Sequence, residues 1–168
     1  MKKIKTDLLV IGAGSGGLVV SSGAAQLGAN VVLVEGGRMG GDCLNYGCVP
    51  SKALLAAANT ANQVNQSDKF GIKAEIVDLD YARVMSYVEK KIAEIAPHDS
   101  QERFEAMGVT VLRDYAQFKD PKTVIVGNSE ITARRIVLAT GSRAKIPNIK
   151  GLDKVNYLTN ESLFDLRK

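Results

Sequence analysis

Gly12, Gly14 and Gly17 lie at G-x-G-x-x-G spacing immediately after an apolar, β-branched run from Thr6 to Ile11, and no other feature of the chain limits its possible folds as narrowly. A run without charge after Asp7 is the pattern of a strand buried on both faces in a parallel sheet. Small and apolar residues from Leu18 to Leu27 predict a helix, and Val31 to Val34 predicts a second strand ending at Glu35. Strand, glycine loop, helix and strand together make a βαβ unit. In such a unit the first glycine makes the tight turn, the second lets a pyrophosphate approach the backbone, and the third lets helix and strand pack closely. The orphan N–H groups and positive dipole end of the helix then face the anion. Gly12, Gly14, Ser15, Gly16 and Gly17 are therefore candidate cofactor-binding residues. Glu35 is placed to accept both ribose hydroxyls of an adenosine. A 2′-phosphate there would meet like charge, so FAD or NAD fits and NADP does not. The competing reading is a plain structural turn; the strand before the motif, the helix after it and the acid beyond favour dinucleotide binding.

Composition supports one folded core. The 168 residues are 45% hydrophobic and 24% charged, too apolar for disorder. A net charge of +4, without a block of like charges, is too little to imply nucleic acid or a membrane surface, and the sparse aromatic residues (5%) form no stacking platform. Lys2, Lys3 and Lys5 before an apolar stretch resemble the start of a signal peptide, but Asp7 and the glycines interrupt it. With nothing near the roughly 18 apolar residues of a membrane span, the expectation is a cytoplasmic protein. Two cysteines cannot build a secreted disulfide framework, and with His98 as the lone histidine no structural zinc site, and no metal, is expected. His98, beside Pro97, reads as a solvated residue between helices.

Cys43 and Cys48 stand in the segment GGDCLNYGCVPSK, Gly40 to Lys52, ahead of an Ala-rich helical stretch from Ala53 to about Val64. On a regular helix their offset leaves the side chains roughly 140° apart, too divergent for a disulfide. Either they do not pair or the helix is distorted between them. Gly47 supplies backbone freedom for a distortion, and Pro50 is acceptable in a first helical turn. A thiol at that helix start would have its thiolate favoured by the dipole and by Lys52. The plain alternative is two buried structural cysteines.

The neighbouring residues favour a reactive pair over two structural cysteines. GGDCLNYGCVPSK closely resembles the redox-active disulfide motif of the class I pyridine nucleotide-disulfide oxidoreductases, which include dihydrolipoamide dehydrogenase, mercuric reductase and glutathione reductase. Its Ser51-Lys52 ending is more similar to the first two branches. The resemblance implies that the dinucleotide is FAD, that Cys43 is the interchange thiol attacking the substrate, and that Cys48 is the charge-transfer thiol against the flavin. It also implies that Gly41, Asp42 and Lys52 contact or flank FAD, Lys52 near the ring nitrogen that exchanges hydride. Asp42 departs from the threonine common there, and a carboxylate beside a pyrophosphate requires a bridging water, a magnesium ion or a backbone contact.

Further along, Leu79 to Ala96 places Val84, Met85, Val88, Ile92 and Ile95 at helical spacing, an amphipathic core helix. Ser100 to Met107 predicts a short helix closed by Gly108. Val109–Leu112, Ala116–Phe118, Thr123–Val126, Ile131–Thr132 and Arg135–Leu138 are short β-type runs, read as a small antiparallel sheet plus a return strand. Ala139-Thr140-Gly141 after that strand resembles the family's second FAD-contacting loop, making Thr140 and Gly141 candidate contacts. The segment around Tyr115 to Phe118 suggests Ala116 at the adenine; Asp114 stands where relatives usually have glycine.

The fold expectation is an α/β, Rossmann-like FAD-binding domain of three layers, glutathione reductase-like: a parallel central sheet, helices on one face and a small antiparallel sheet on the other, incomplete. Residues 1–147 would form the first segment of that domain and 148–168 the connection toward a missing NAD(P)-binding domain. The family's second G-x-G-x-x-G, its later Gly-Asp flavin segment and its interface domain with a His-Glu pair have no counterpart here, so the sequence reads as the opening portion of a longer reductase, with edges left sticky. The function implied is FAD-dependent electron transfer between NAD(P)H, supplied in the full-length parent, and a small disulfide, dithiol or thiophilic metal ion through Cys43 and Cys48. The parent would be a homodimer. The alternative is a non-enzymatic dinucleotide-binding or thiol-redox module.

Overall fold

A computed structural model describes residues 1–167. Its elements in chain order are β1 (Lys2–Ile11), α1 (Ser15–Gln26), β2 (Val31–Val34), α2 (Gly41–Asn45), α3 (Cys48–Asn65), α4 (Tyr81–Ile95), α5 (Gln101–Ala106), β3 (Thr110–Leu112), β4 (Ala116–Asp120), β5 (Thr123–Val126), β6 (Ser129–Leu138) and α6 (Asn160–Leu163). The chain divides into two units, Met1–Asn45 with Ile95–Ser142, and Tyr46–Glu94 with the chain from Arg143 onward.

The first unit holds one six-stranded sheet in the order β3-β2-β1-β6-β5-β4. β1 is parallel to both β2 and β6, and β2 is parallel to β3. The antiparallel strands β4 and β5 join the same sheet through β6, so they extend the parallel sheet instead of standing hydrogen-bonded apart from it. The two runs expected at Ile131–Thr132 and Arg135–Leu138 are a single strand. β6 stays continuous across Ala133-Arg134 because it pairs with β1 along its whole length, from Lys2 opposite Ser129 to Ile11 opposite Leu138. The same pairing extends β1 back to Lys2, where alternate lysines point to solvent around the half-buried Ile4.

Alternation along the strands loads the two sheet faces differently. Val10, Val31 and Leu33 pack with Leu18 of α1 and Phe104 of α5, which makes this the helical face. Leu9, Ile11, Val32 and Val34 belong to a cluster completed by Val124, Val126, Ile131 and Ala133, so the other face is buried by strand residues alone. The expected α/β class, with a parallel centre and a helix-covered face, is the observed one.

α1 buries Gly17, Leu18 and Ser21, and the fully buried Ser21 hydroxyl has no hydrogen-bond partner among the described residues. A buried unsatisfied hydroxyl costs about 1–3 kcal/mol, and alanine is the better helix former. Ser21→Ala is expected to raise stability by about 1 kcal/mol in urea unfolding; a loss of stability would show that the hydroxyl is satisfied in solution.

In the second unit Met85 and Val88 of α4 pack with Ala53 of α3, flanked by Leu54, Tyr81, Ile92 and Phe164. Of the stripe expected on this helix Met85 and Val88 are buried, Val84 and Ile92 half-buried, and Ile95 at the end exposed. α3 begins at Cys48, with Pro50 in the first turn as expected, where its missing N–H would have had no intrahelical partner.

Candidate cofactor site

Ile11 lies opposite Val34 on one side and Leu138 on the other, so β1, β2 and β6 end in register. The residues that follow these three ends, Gly12, Glu35 and Ala139, are thereby brought to one edge of the sheet. β1 is also where the chain order reverses, with β2 and β3 to one side and β6 to the other. The crevice outside the carboxyl ends of strands at such a switch point is where open α/β sheets bind ligands.

The backbone at this edge explains the glycines. Gly12 has φ +105°, and a Cβ on it would lie 2.2 Å from the Ala139 carbonyl oxygen. A Cβ on Gly17 would lie 1.8 Å from the Gly12 carbonyl oxygen. These two positions are closed to any side chain by backbone atoms. Gly14 differs: its added Cβ would meet nothing nearer than the Gly41 Cα at 3.8 Å, and Gly16 faces open space. α1 starts here with no side-chain cap and no acidic residue in its first turn, so its leading N–H groups look out over a floor of small residues. Positive dipole end, uncapped amides and room above Gly14 fit a pyrophosphate.

Glu35 is held at the loop by both oxygens. Oε2 accepts from the Ala13 N–H at 2.6 Å and Oε1 from the Gly37 N–H at 2.6 Å. A carboxylate has about four acceptor sites, so two remain for ligand hydroxyls. On the other side the chain after β2 is stitched to the loop: the Gly40 N–H donates to the Ala13 carbonyl at 2.9 Å, and Gly14 and Gly40 form an isolated parallel bridge. Asn45 closes this segment on itself, its side-chain amide donating to the Met39 and Gly41 carbonyls. Gly41 thus opens α2 against the loop, with Asp42 in its first turn. Thr140 and Gly141 continue from Ala139, whose N–H donates to Ile11. Ala116 opens β4 at the far edge of the sheet.

The cysteines lie on either side of a break in the helix. Cys43 is half-buried in α2, which ends at Asn45; Gly47 is non-helical (φ −129°, ψ −109°), and α3 opens at the exposed Cys48. The interruption falls at Gly47, the residue expected to supply it. Lys52 is exposed in the second turn of α3.

Residues 6–167 match the family described as pyridine nucleotide-disulphide oxidoreductase. The chain belongs to this family. It is 32% identical to a mercuric reductase of Lysinibacillus sphaericus over 96% of its length, 38% identical to a dihydrolipoyl dehydrogenase of Geobacillus stearothermophilus over 90%, and 37% identical to a dihydrolipoyl dehydrogenase of Haloferax volcanii over 94%. It covers 30%, 33% and 34% of those proteins in turn, about a third of the relatives it matches. No helix among the described residues is long and apolar enough to cross a membrane.

Of three residues just beyond β3, Asp114 stands out in the sequence, while Arg113 and Tyr115 make contacts that the sequence does not announce. Arg113, just beyond β3, donates from its guanidinium to the Gly37 carbonyl. The Tyr115 ring lies so close to Gly36 that a Cβ there would be 2.8 Å from it. Asp114 accepts the Tyr115 N–H at 2.7 Å. Nothing in the local sequence marks Arg113 or Tyr115 for these contacts, since their partners are backbone atoms distant along the chain.

Proposed function

We propose that the chain is the FAD-binding portion, residues 1–147, of a flavin-dependent disulfide oxidoreductase that passes electrons between NAD(P)H, FAD and a Cys43–Cys48 couple. The observation that supports this most is the in-register ending of β1, β2 and β6 at Gly12, Glu35 and Ala139, beside the uncapped start of α1. In this reading the amides at Gly14 to Gly17 bind the pyrophosphate, and the free acceptor sites of Glu35 take the ribose hydroxyls. Gly41, Asp42, Thr140 and Gly141 border the cofactor, Ala116 lies toward the adenine, and Lys52 flanks the ring. The chemistry that bound FAD supplies is two-electron transfer between a nicotinamide and a pair of thiols. Cys43 and Cys48 store that electron pair: reducing their disulfide breaks the S–S bond, takes up two electrons and two protons, and leaves two thiols. The Cys43 thiolate then attacks a substrate disulfide, and Cys48 resolves the mixed disulfide. The substrate class is a small disulfide, dithiol or thiophilic metal ion, in keeping with relatives named mercuric reductase and dihydrolipoyl dehydrogenase.

The test is the visible absorption of the purified chain with added FAD, before and after heat denaturation. A flavin spectrum that stays with the folded protein and leaves on heating is expected. A colourless protein whose two cysteines still oxidise reversibly would overturn the flavin reading in favour of a thiol-redox module.

A further inference from the structure

Glu35 is half-buried with both of its oxygens accepting backbone N–H groups, and one of these, at Gly37, belongs to a turn that carries no side chain to anchor it. Residues 36 and 37 are both glycine, the least restrained backbone available. The anchoring comes from the segment after β3. The Glu35 N–H donates to the Leu112 carbonyl at 2.9 Å, the Arg113 guanidinium donates to the Gly37 carbonyl, and the Tyr115 ring covers Gly36. Arg113 grips the carbonyl of the same residue whose N–H aims Oε1. Of the three anchors, Arg113 alone holds Gly37 itself, the residue that supplies the Oε1 donor.

We propose that Arg113 is a positioning residue for the Glu35 carboxylate, fixing the Glu35–Gly37 turn so that the remaining acceptor sites of Glu35 face the ribose hydroxyls of an adenine nucleotide. This rests on reading the glycine loop as a nucleotide site. It assigns to Arg113 an effect on ribose recognition in particular, because the pyrophosphate contacts come from α1 and do not depend on the turn.

The test is calorimetric titration of the full chain with ADP and with 2′-deoxyADP, which differ only in a hydroxyl that Glu35 would accept. The unmodified protein should prefer ADP by about tenfold, the value of one hydrogen bond to a charged group. Arg113→Met should reduce that preference to about twofold, with ADP itself weakened. Arg113→Gln, which keeps an N–H donor of shorter reach, should fall between, at about fivefold. A purely structural role would weaken both nucleotides equally, so an unchanged preference in Arg113→Met overturns the proposal. Should Arg113→Met not fold, an Arg113→Gln preference equal to the unmodified value overturns it, and an intermediate one supports it. Failure of the unmodified protein to bind ADP would overturn the nucleotide reading and the role of Arg113 together, a result distinct from nucleotide binding that ignores Arg113.

Discussion

Gly12→Ala is expected to lower the unfolding free energy by about 4 kcal/mol and to abolish flavin retention. Two costs combine. A φ of +105° is outside the regions open to L-residues and costs of order 1–3 kcal/mol. The new Cβ would also lie 2.2 Å from the Ala139 carbonyl oxygen. That oxygen cannot give way cheaply, because Ala139 directly follows a strand paired with β1 along its whole length, and its own N–H is bonded to Ile11. A loss of this size is a large part of the 5–15 kcal/mol that a domain possesses, and the urea midpoint would report it. Gly14→Ala is the informative contrast. Gly14 has an ordinary φ of −80° and space for a Cβ, so stability should change by less than about 1 kcal/mol, while the methyl group occupies the place assigned to the pyrophosphate. A Gly14→Ala protein that still holds FAD as tightly as its parent would remove the phosphate from this loop.

Phe104→Ala should cost about 3–5 kcal/mol, the range for deleting a buried aromatic ring. Phe104 is 1% exposed and is the largest of the fully buried side chains. It projects from the short helix α5 into the cluster of Val10, Leu33, Val109 and Val111. Ala13 and, at the margin, Met39 belong to the same cluster, so the cavity opens beneath the glycine loop and the segment stitched to it. Phe70, 81% exposed, is the control: its alanine variant should unfold within about 0.5 kcal/mol of the parent. If the two variants melted alike, the ring of Phe104 would not be a mainstay of the core on the helical face.

What could be read in advance was what is encoded by near neighbours. β2 and β5 have the bounds their apolar runs predict, and the glycine loop with Glu35 was legible because strand, turn, helix and acid follow each other within one βαβ unit. The start of β1 was not, since Lys2, Lys3 and Lys5 give no apolar signal and that stretch is a strand only because β6 lies beside it. β6 itself was split at Ala133-Arg134, where the local composition looks like a break and the two neighbouring strands override it. At the site, Arg113 was invisible for a related reason. Its partner is a backbone carbonyl, which every residue possesses, so no residue type at Gly37 advertises the contact. The helix break between the cysteines was legible because a glycine stood at the required place.

The ladder between β1 and β6 also dictates an order of events during synthesis. β1, α1 and β2 are complete once the thirty-fourth residue has emerged, but the second edge of β1 has no partner until β6 has followed, because Lys2 pairs with Ser129 and Ile11 with Leu138. While the residues between β2 and β6 are being made, that edge is open to strands of other nascent chains. Lys2, Lys3 and Lys5 lie along it, and charges at such an edge are what keep it unclaimed until its own partner arrives.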